Sequence, residues 1–166
     1  SANPAAEMGP VIDENSRKRI LGFIGNAKLL RDGRTGIPNR GFFVGPTLVD
    51  GMATSEEIFG PVLSLMKPVS LDEAIALANR SAFGNGATLF TSSGKHARQF
   101  TKEIQCGMVG INVGVPAPMS LFPFAGWNQS FFGDLHMQGT EGVQFYTRQR
   151  VVLSRWDAAY RRQQGW

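Results

Sequence analysis

Short apolar strands alternate with helical segments between residues 62 and 112, and this alternation constrains the fold more than any other feature. The stretches "VLSLMKPV", "GATLFT" and "MVGINV" predict strands, and "SLDEAIALANRSA" and "SGKHARQFTKEIQ" predict the helices between them. Ser70 and Glu73 have the spacing of a capping box at a helix start. Strands joined by helices of about a dozen residues pair in parallel through crossover connections. We therefore predict an α/β fold with a parallel sheet whose faces are both covered by flanking helices.

The segments around this core are less regular. "DENSRKRILGFIG" predicts an amphipathic helix with Ile20, Phe23 and Ile24 on one face, and "AKLLRDGR" and "GFFVGPTLVD" predict strands. After Asn112 come about thirty residues rich in Gly, Pro and aromatics, and a loop of that length is usually functional or poorly ordered. It begins where a parallel strand ends, which is where open α/β sheets bind ligands.

The stretch "GVQFYTRQRVVLSRW", residues 142–156, predicts one strand about three times the usual length of five or six residues. An exposed strand of that length aggregates unless it is paired. We expect it to be an arm that joins the sheet of a second subunit. The chain is thus divided into an α/β body at residues 1–141, the arm at 142–156 and a basic tail at 157–166.

The net charge of +4 is concentrated at one end of the sequence, where the last 19 residues hold five arginines and one acidic residue. Such a cluster could contact nucleic acid or a membrane, but blocks of arginine more often form a solvated or intersubunit edge. A nucleic-acid binder would also need basic and aromatic residues interleaved on one face, and the body shows none. We expect neither nucleic acid nor a membrane as partner.

One cysteine and two histidines leave little room for catalytic or metal chemistry. Cys106 alone excludes an internal disulfide framework and fits a reducing compartment. Since the opening residues lack the features of a signal peptide, we expect a cytoplasmic location. Cys106 lies where a helix meets an apolar strand, which favours a buried thiol over a nucleophile. His96 and His136 have no third ligand at a recognisable spacing, so we expect surface histidines and no metal.

The stretch "EEIFGPV" places two carboxylates and an aromatic ring beside a stiff turn, directly before a predicted strand. Pro61 fixes the backbone after Gly60, and such a turn would hold the preceding carboxylates in place. Glu57 is then either a solvated residue or a carboxylate that accepts two hydrogen bonds from a diol such as ribose. Residue pattern alone leaves both readings open.

Four stretches carry a family resemblance. "GFFVGPTLVD", "EEIFGPVLS", "FGNGATLFT" and "GMVGINV" resemble, in order and spacing, the C-terminal third of NAD-dependent aldehyde dehydrogenases. "GINVGVPAP" and "GWNQSFFGDLHMQGTEGVQFYTRQRVV" resemble the CoA-acylating methylmalonate-semialdehyde dehydrogenases among them. The resemblance runs from about "EMGPVID" to "VVLSRW", which is most of the chain.

This resemblance implies roles for three residues. Glu57 would bind the hydroxyls of the nicotinamide ribose, and Phe59 would lie against the nicotinamide ring. Phe124, in the loop after the strand that ends at Asn112, would line the aldehyde pocket. Residues 1–141 would be the C-terminal part of the catalytic domain, and residues 142–156 the strand through which the family forms homo-oligomers.

The implied reaction is attack of a cysteine thiolate on a semialdehyde, hydride transfer to NAD, and release of the acyl group to CoA as co-substrate, a step of valine catabolism. The family's nucleophile and its nucleotide-binding domain lie upstream of the stretches matched here, and Cys106 does not match that nucleophile. We therefore expect no catalytic residue among these 166. The alternative is a catalytically inactive aldehyde-dehydrogenase-like fragment that acts only as a binding or oligomerisation module.

Overall fold

The computed structural model describes residues 8–38, 40–51 and 56–156 of the chain. These residues form two compact units. The first unit comprises the described residues up to Ala82 together with Ser93–Ile104, and the second comprises Phe83–Ser92 and the described residues from Gln105 onward. The basic tail predicted at residues 157–166 lies outside the described residues.

The first unit is organised around helix α1, Glu14–Gly25. Asp13 caps this helix, since its carboxylate accepts a hydrogen bond of 2.6 Å from the amide of Ser16. Ile20 and Ile24, one turn apart on the same face, are fully buried. They form a core cluster with the buried Val44, against which further partly buried side chains pack: Val11, Leu21, Ile58 and Val62. The predicted amphipathic helix is confirmed.

A sheet of three short strands lies in the same unit: β1 at Lys28–Arg31, β2 at Thr47–Asp50 and β3 at Val62–Leu65. The strands stand in the order β1-β2-β3, with β1 antiparallel to β2 and β2 parallel to β3. In β2 the first and third residues are buried and the second and fourth are half-buried. The burial of successive residues therefore alternates along β2, as expected for a strand with one covered face.

Helices α2, Leu71–Asn79, and α3, Gly94–Glu103, complete the first unit. The Ser70 hydroxyl accepts a hydrogen bond of 3.1 Å from the amide of Glu73, as the capping box predicts. The Glu73 carboxylate reaches one residue further than expected and accepts from the amide of Val69 at 2.7 Å. Polar contacts join the two helices, because the Asn79 amide group donates to the Glu103 carbonyl at 2.8 Å.

The second unit holds strands β4, Phe83–Gly84, β5, Gly86–Leu89, β6, Met108–Ile111, and β7, Trp127–Asn128, followed by helix α4, Gly139–Tyr146. β5 pairs in parallel with β6, and β4 pairs antiparallel with β7. The irregular loop predicted after Asn112 is confirmed over most of its length.

The single parallel sheet predicted from the sequence needs correction. The described strands form three separate hydrogen-bonded sheets, of which two contain one parallel pair each. The strands are also not covered on both faces, because β3 alternates between half-buried and exposed residues and β5 begins with an exposed one. Strands of four residues or fewer carry too few apolar side chains to bury two faces. The α/β class stands, with smaller sheets.

The strand predicted at residues 142–156 is wrong over its first part, where α4 ends at Tyr146. The Glu141 carboxylate, in the first turn of the helix, accepts from the amide of His136, just before the helix, at 2.7 Å. At the other end, the Thr147 hydroxyl donates to the Val143 carbonyl at 2.9 Å. These local bonds outweigh the strand preference of the apolar residues, since that preference depends strongly on context.

Residues 147–156 belong to no helix or strand of the described structure. Their large apolar side chains are exposed, with Leu153 and Trp156 each 93% accessible. The large apolar side chains of this segment are therefore not packed into a core within the part of the chain that the structure describes. Its proposed pairing with a second subunit remains a prediction.

A close approach of two backbone segments yields a test of the first unit. A Cβ on Gly45 would overlap the carbonyl of Gly33, and a Cβ on Gly33 would overlap the carbonyl of Pro46. Because backbone atoms cannot move aside, we expect Gly45→Ala to lower the free energy of unfolding by about 1 to 3 kcal/mol. Urea denaturation of the chain measures the change.

Gly22→Ala is the matched control. Gly22 lies within α1 with nothing within 4 Å of an added Cβ, so the same substitution should raise the free energy of unfolding by about 0.5 to 1 kcal/mol. Equal stability of the two variants would contradict the close approach.

Candidate functional site

The turn at residues 56–61 is fixed at its C-terminal end by the sheet. The amide of Thr47 in β2 donates to the carbonyl of Pro61 at 2.9 Å, and the amide of Val62 donates to the carbonyl of Gly60 at 2.7 Å. Within the turn, the half-buried Ile58 packs against the core cluster of α1. The turn is therefore attached both to the sheet and to the helix.

Arg19, on α1, binds the same turn from the side. Its guanidinium donates to the carbonyl of Glu57 at 3.2 Å and to the carbonyl of Ile58 at 2.7 Å. The carboxylate of Glu56 lies 3.8 Å from the same group. Two successive carbonyls consequently face the helix. Nothing in the local sequence pattern indicates this contact, because Arg19 and the carbonyls it binds are 38 and 39 residues apart.

The backbone of the turn is constrained where it meets α1. A Cβ on Gly60 would lie 2.5 Å from Cδ1 of the fully buried Ile20, so only glycine fits without displacement. Phe59 has a φ of +48°, which is uncommon for an aromatic residue. Its ring is 78% exposed, and the side chain of Glu57 is exposed as well. The turn thus presents the Phe59 ring and the carboxylates of Glu56 and Glu57 outward from a fixed backbone.

Phe124, the third residue singled out by the resemblance, belongs to the second unit. It is half-buried and forms an isolated antiparallel bridge with Met137, to whose carbonyl its amide donates at 2.8 Å. The long loop containing it starts at Asn112, whose φ is +57°. The Asn112 side chain accepts from the amide of Thr91 at 2.8 Å and donates to its carbonyl at 2.9 Å. These bonds join the carboxyl ends of β5 and β6 at the point where the loop departs.

His136 is not the surface histidine that its sequence surroundings suggested. Its Nδ1 lies 2.8 Å from the Glu141 carboxylate, and its Nε2 lies 3.3 Å from the Gly126 carbonyl. The ring is also stacked on Phe131, with 4.1 Å between centroids. A carboxylate five residues along the chain was the available signal, but the sequence predicted irregular loop for the start of the helix that carries this carboxylate.

The same loop and α4 enclose a cavity of about 630 Å³. Its walls are mainly apolar and include Phe131, Phe132, Leu135, Met137, Phe145 and Tyr146. His136 also lines this cavity, and its pair with Glu141 connects the loop to α4.

Cys106 behaves as a packing residue, as predicted. The side chain is buried, its thiol donates to the Met108 carbonyl at 3.3 Å, and burial raises the pKa of the thiol. His96 is exposed, as expected. Within residues 8–38, 40–51 and 56–156, no three His, Cys, Asp or Glu side chains stand close enough to hold a metal ion. No helix in those ranges is long and apolar enough to cross a membrane.

Sequence comparison shows the family. The sequence model described as "Aldehyde dehydrogenase family" matches residues 1–152, and the chain belongs to this family. The fold described above and the turn at residues 56–61 lie within the matched range.

Relatives within the family agree with the resemblance found in the sequence. The chain is 51% identical over 162 residues to malonate-semialdehyde dehydrogenase 2 of Bacillus thuringiensis (strain Al Hakam), covering 90% of this chain and 33% of the relative. It is 49% identical over 161 residues to the malonate-semialdehyde dehydrogenase of Bacillus subtilis (strain 168), covering 91% of this chain and 33% of the relative. The chain therefore spans about a third of the length of these relatives.

Solved structures give the same result. The methylmalonate-semialdehyde dehydrogenase of Oceanimonas doudoroffii matches with a TM-score of 0.88 and 39% identity, over 95% of this chain and 35% of that one. An NAD+ complex of an aldehyde dehydrogenase from Mycobacterium tuberculosis matches with a TM-score of 0.74 and 33% identity, over 89% of this chain and 32% of that one. The resemblance to the C-terminal portion of this enzyme class is confirmed.

The His136–Glu141 pair predicts a pH dependence. The pKa of Glu141 is lowered from its ordinary 4.5, chiefly because the His136 amide donates to its carboxylate. A lowered folded-state pKa contributes stability above the unfolded value and loses it as the pH falls through the folded value. We expect Glu141→Gln to be less stable at neutral pH and to lose less stability than wild type below about pH 4.5.

Urea denaturation of both proteins at several pH values between about 7 and 3 measures this difference. Asp134→Asn, which removes a carboxylate from the same loop, is the control and should leave the acid-side slope closer to wild type. Parallel pH profiles for Glu141→Gln and wild type would show that the pair does not hold the helix start.

Proposed function

We propose that this chain is the C-terminal part of an NAD-dependent, CoA-acylating dehydrogenase that oxidises methylmalonate or malonate semialdehyde to an acyl-CoA. The observation that carries this proposal is the turn at residues 56–61, which presents Glu57 and Phe59 from a backbone fixed on two sides. The names of the relatives support the semialdehyde as substrate class.

The turn fits the nicotinamide riboside part of NAD. The Glu57 carboxylate is exposed and has acceptor capacity for two hydroxyl donors, which is what a ribose diol offers. Phe59 lies two residues along, with most of its ring accessible to a flat partner. Since Arg19 and Ile20 hold the backbone between these side chains and the helix, their separation is set before a ligand arrives.

Each residue then has one task. Glu57 would accept hydrogen bonds from the ribose hydroxyls and fix the rotation of the sugar. Phe59 would cover one face of the nicotinamide ring and keep water from it. Phe124 would line the aldehyde pocket in the second unit. NAD, when bound, supplies the hydride acceptor, and CoA accepts the acyl group as co-substrate. The chain's one thiol, Cys106, is buried and hydrogen-bonded and takes no part.

A second proposal concerns the partner. We propose that residues 147–156 form an interface with a second copy of the chain. Their apolar side chains are exposed and they belong to no strand of the described structure, so this segment can pair with a strand of another chain. The alternating Arg and apolar residues would place one polar and one apolar face on the arm. We place the enzyme in the cytoplasm, which suits its single reduced thiol.

The cofactor role of Glu57 can be tested by titrating the full chain with NAD and following the NMR signals of Glu57 and Phe59. We expect Glu57→Gln to weaken binding by about 1 to 3 kcal/mol, because a charged acceptor is lost to the ribose hydroxyls. Phe59→Ala should weaken the signal changes from the nicotinamide ring in particular.

Glu56→Gln is the matched control, since it removes the neighbouring carboxylate of the same turn. Its exposed pair with Arg19 at 3.8 Å contributes little, so NAD affinity should stay near wild type. Equal NAD affinity of wild type and Glu57→Gln would show that Glu57 is a solvated residue without a cofactor role.

The arm is tested by light scattering coupled to gel filtration. We expect a mass that is a multiple of 18.1 kDa, because pairing removes exposed strand-forming groups from water. Truncation after Thr147 keeps α4 and the hydrogen bond at its C-terminal end, and should reduce the mass to that of one chain. A monomer at micromolar concentration before truncation would rule the interface out.

A further inference from the structure

We propose that Arg19 is a positioning residue for cofactor binding: its guanidinium sets the direction in which the turn presents Glu57 and Phe59. This inference rests on the proposed function, because it assigns the means by which that same site is held. Arg19 lies on α1, 38 and 39 residues before the carbonyls that it binds.

The contact depends on the shape of the guanidinium. Its two terminal nitrogens each bind a different carbonyl, at 3.2 Å for Glu57 and 2.7 Å for Ile58. A planar group with fixed donors holds two acceptors at a set separation, which a lysine ammonium does not do. Arg19 therefore fixes the orientation of two successive peptide groups together.

The orientation of these peptides determines where the site residues point. The peptide after Ile58 leads directly into Phe59, whose φ of +48° is uncommon for a residue with a large side chain. If that peptide rotated, Phe59 would return to a common backbone region and its ring would leave its present direction. The Arg19 contact to Ile58 opposes this rotation.

Arg19 is itself in contact with an aromatic ring. Its guanidinium carbon lies 5.7 Å from the centroid of the Phe23 ring, one turn further along α1. The exposed Glu56 carboxylate, 3.8 Å from the guanidinium, adds little to this contact. The next residue, Ile20, is fully buried and occupies the space that a Cβ on Gly60 would need. The two residues of α1 that hold the turn, Arg19 and Ile20, are therefore adjacent in the helix.

The test compares Arg19→Gln and Arg19→Lys in the full chain by NMR, with Lys18→Gln as control for the loss of one positive charge on the same helix. One readout is the strong amide-to-Hα contact within Phe59 that a positive φ produces. The second is saturation transfer from the chain to the nicotinamide protons of NAD.

We expect both Arg19 variants to lose the positive-φ signature of Phe59 and the saturation transfer to nicotinamide, while Lys18→Gln keeps both. Helix content by circular dichroism should stay at the wild-type level in all three variants. Full retention of both signals in Arg19→Lys would overturn the inference, because charge alone would then suffice. Retention of the Phe59 signature in Arg19→Gln would overturn it as well.

The two proposals fail separately. Absence of saturation transfer in the wild-type chain counts against the cofactor role of the turn. The Phe59 signature in the variants is read without NAD, so it still decides whether Arg19 sets the turn. If Arg19→Gln does not fold, Arg19→Lys, which keeps the charge and most of the side chain, provides the same readout.

Discussion

The first unit depends on the burial of two isoleucines on one turn of α1. Ile20 and Ile24 form a core cluster with Val44, against which Ile58 of the turn and Val62 of β3 pack, and burial of such side chains contributes about 1.5 to 3 kcal/mol each. The same surface of Ile20 excludes any side chain at Gly60, so the core itself shapes the turn. Next to this contact between Ile20 and Gly60, Arg19 donates hydrogen bonds to two carbonyls of the same turn. The residues of α1 that stabilise the first unit therefore also orient the turn at residues 56–61.

The second unit consists largely of a long loop without regular structure, which a few contacts hold in place. Asn112 ties the two parallel strands at the loop's start, and the Phe124–Met137 bridge pairs its middle with its end. His136 and Glu141 attach the end of the loop to α4. The loop is thus attached at its start, its middle and its end by a few polar contacts.

Sequence predicted best what short-range chemistry determines. Ser70, with Glu73 three residues later, marks a helix start in the sequence, and the spacing of Ile20 and Ile24 marks a buried face. The Arg19 contact spans almost forty residues and leaves no local trace. α4 was not predicted because its apolar residues prefer strands. In the structure, the Glu141 carboxylate binds the amide of His136 at the start of this helix. The family motif located Glu57 and Phe59, but only the coordinates show what holds them.

The crossing of Gly33 over Gly45 has a consequence for protein engineering. The backbones of Gly33 and Gly45 touch, so the segment between them starts and ends at the same place. The pairing of β1 with β2 therefore does not depend on the length of that segment. Extra residues between Thr35 and Gly36, which are exposed, would lengthen a closed loop at about 0.6 kcal/mol per doubling. A spectroscopic label or an affinity peptide placed there would report on the molecule while leaving both units and the turn at residues 56–61 untouched.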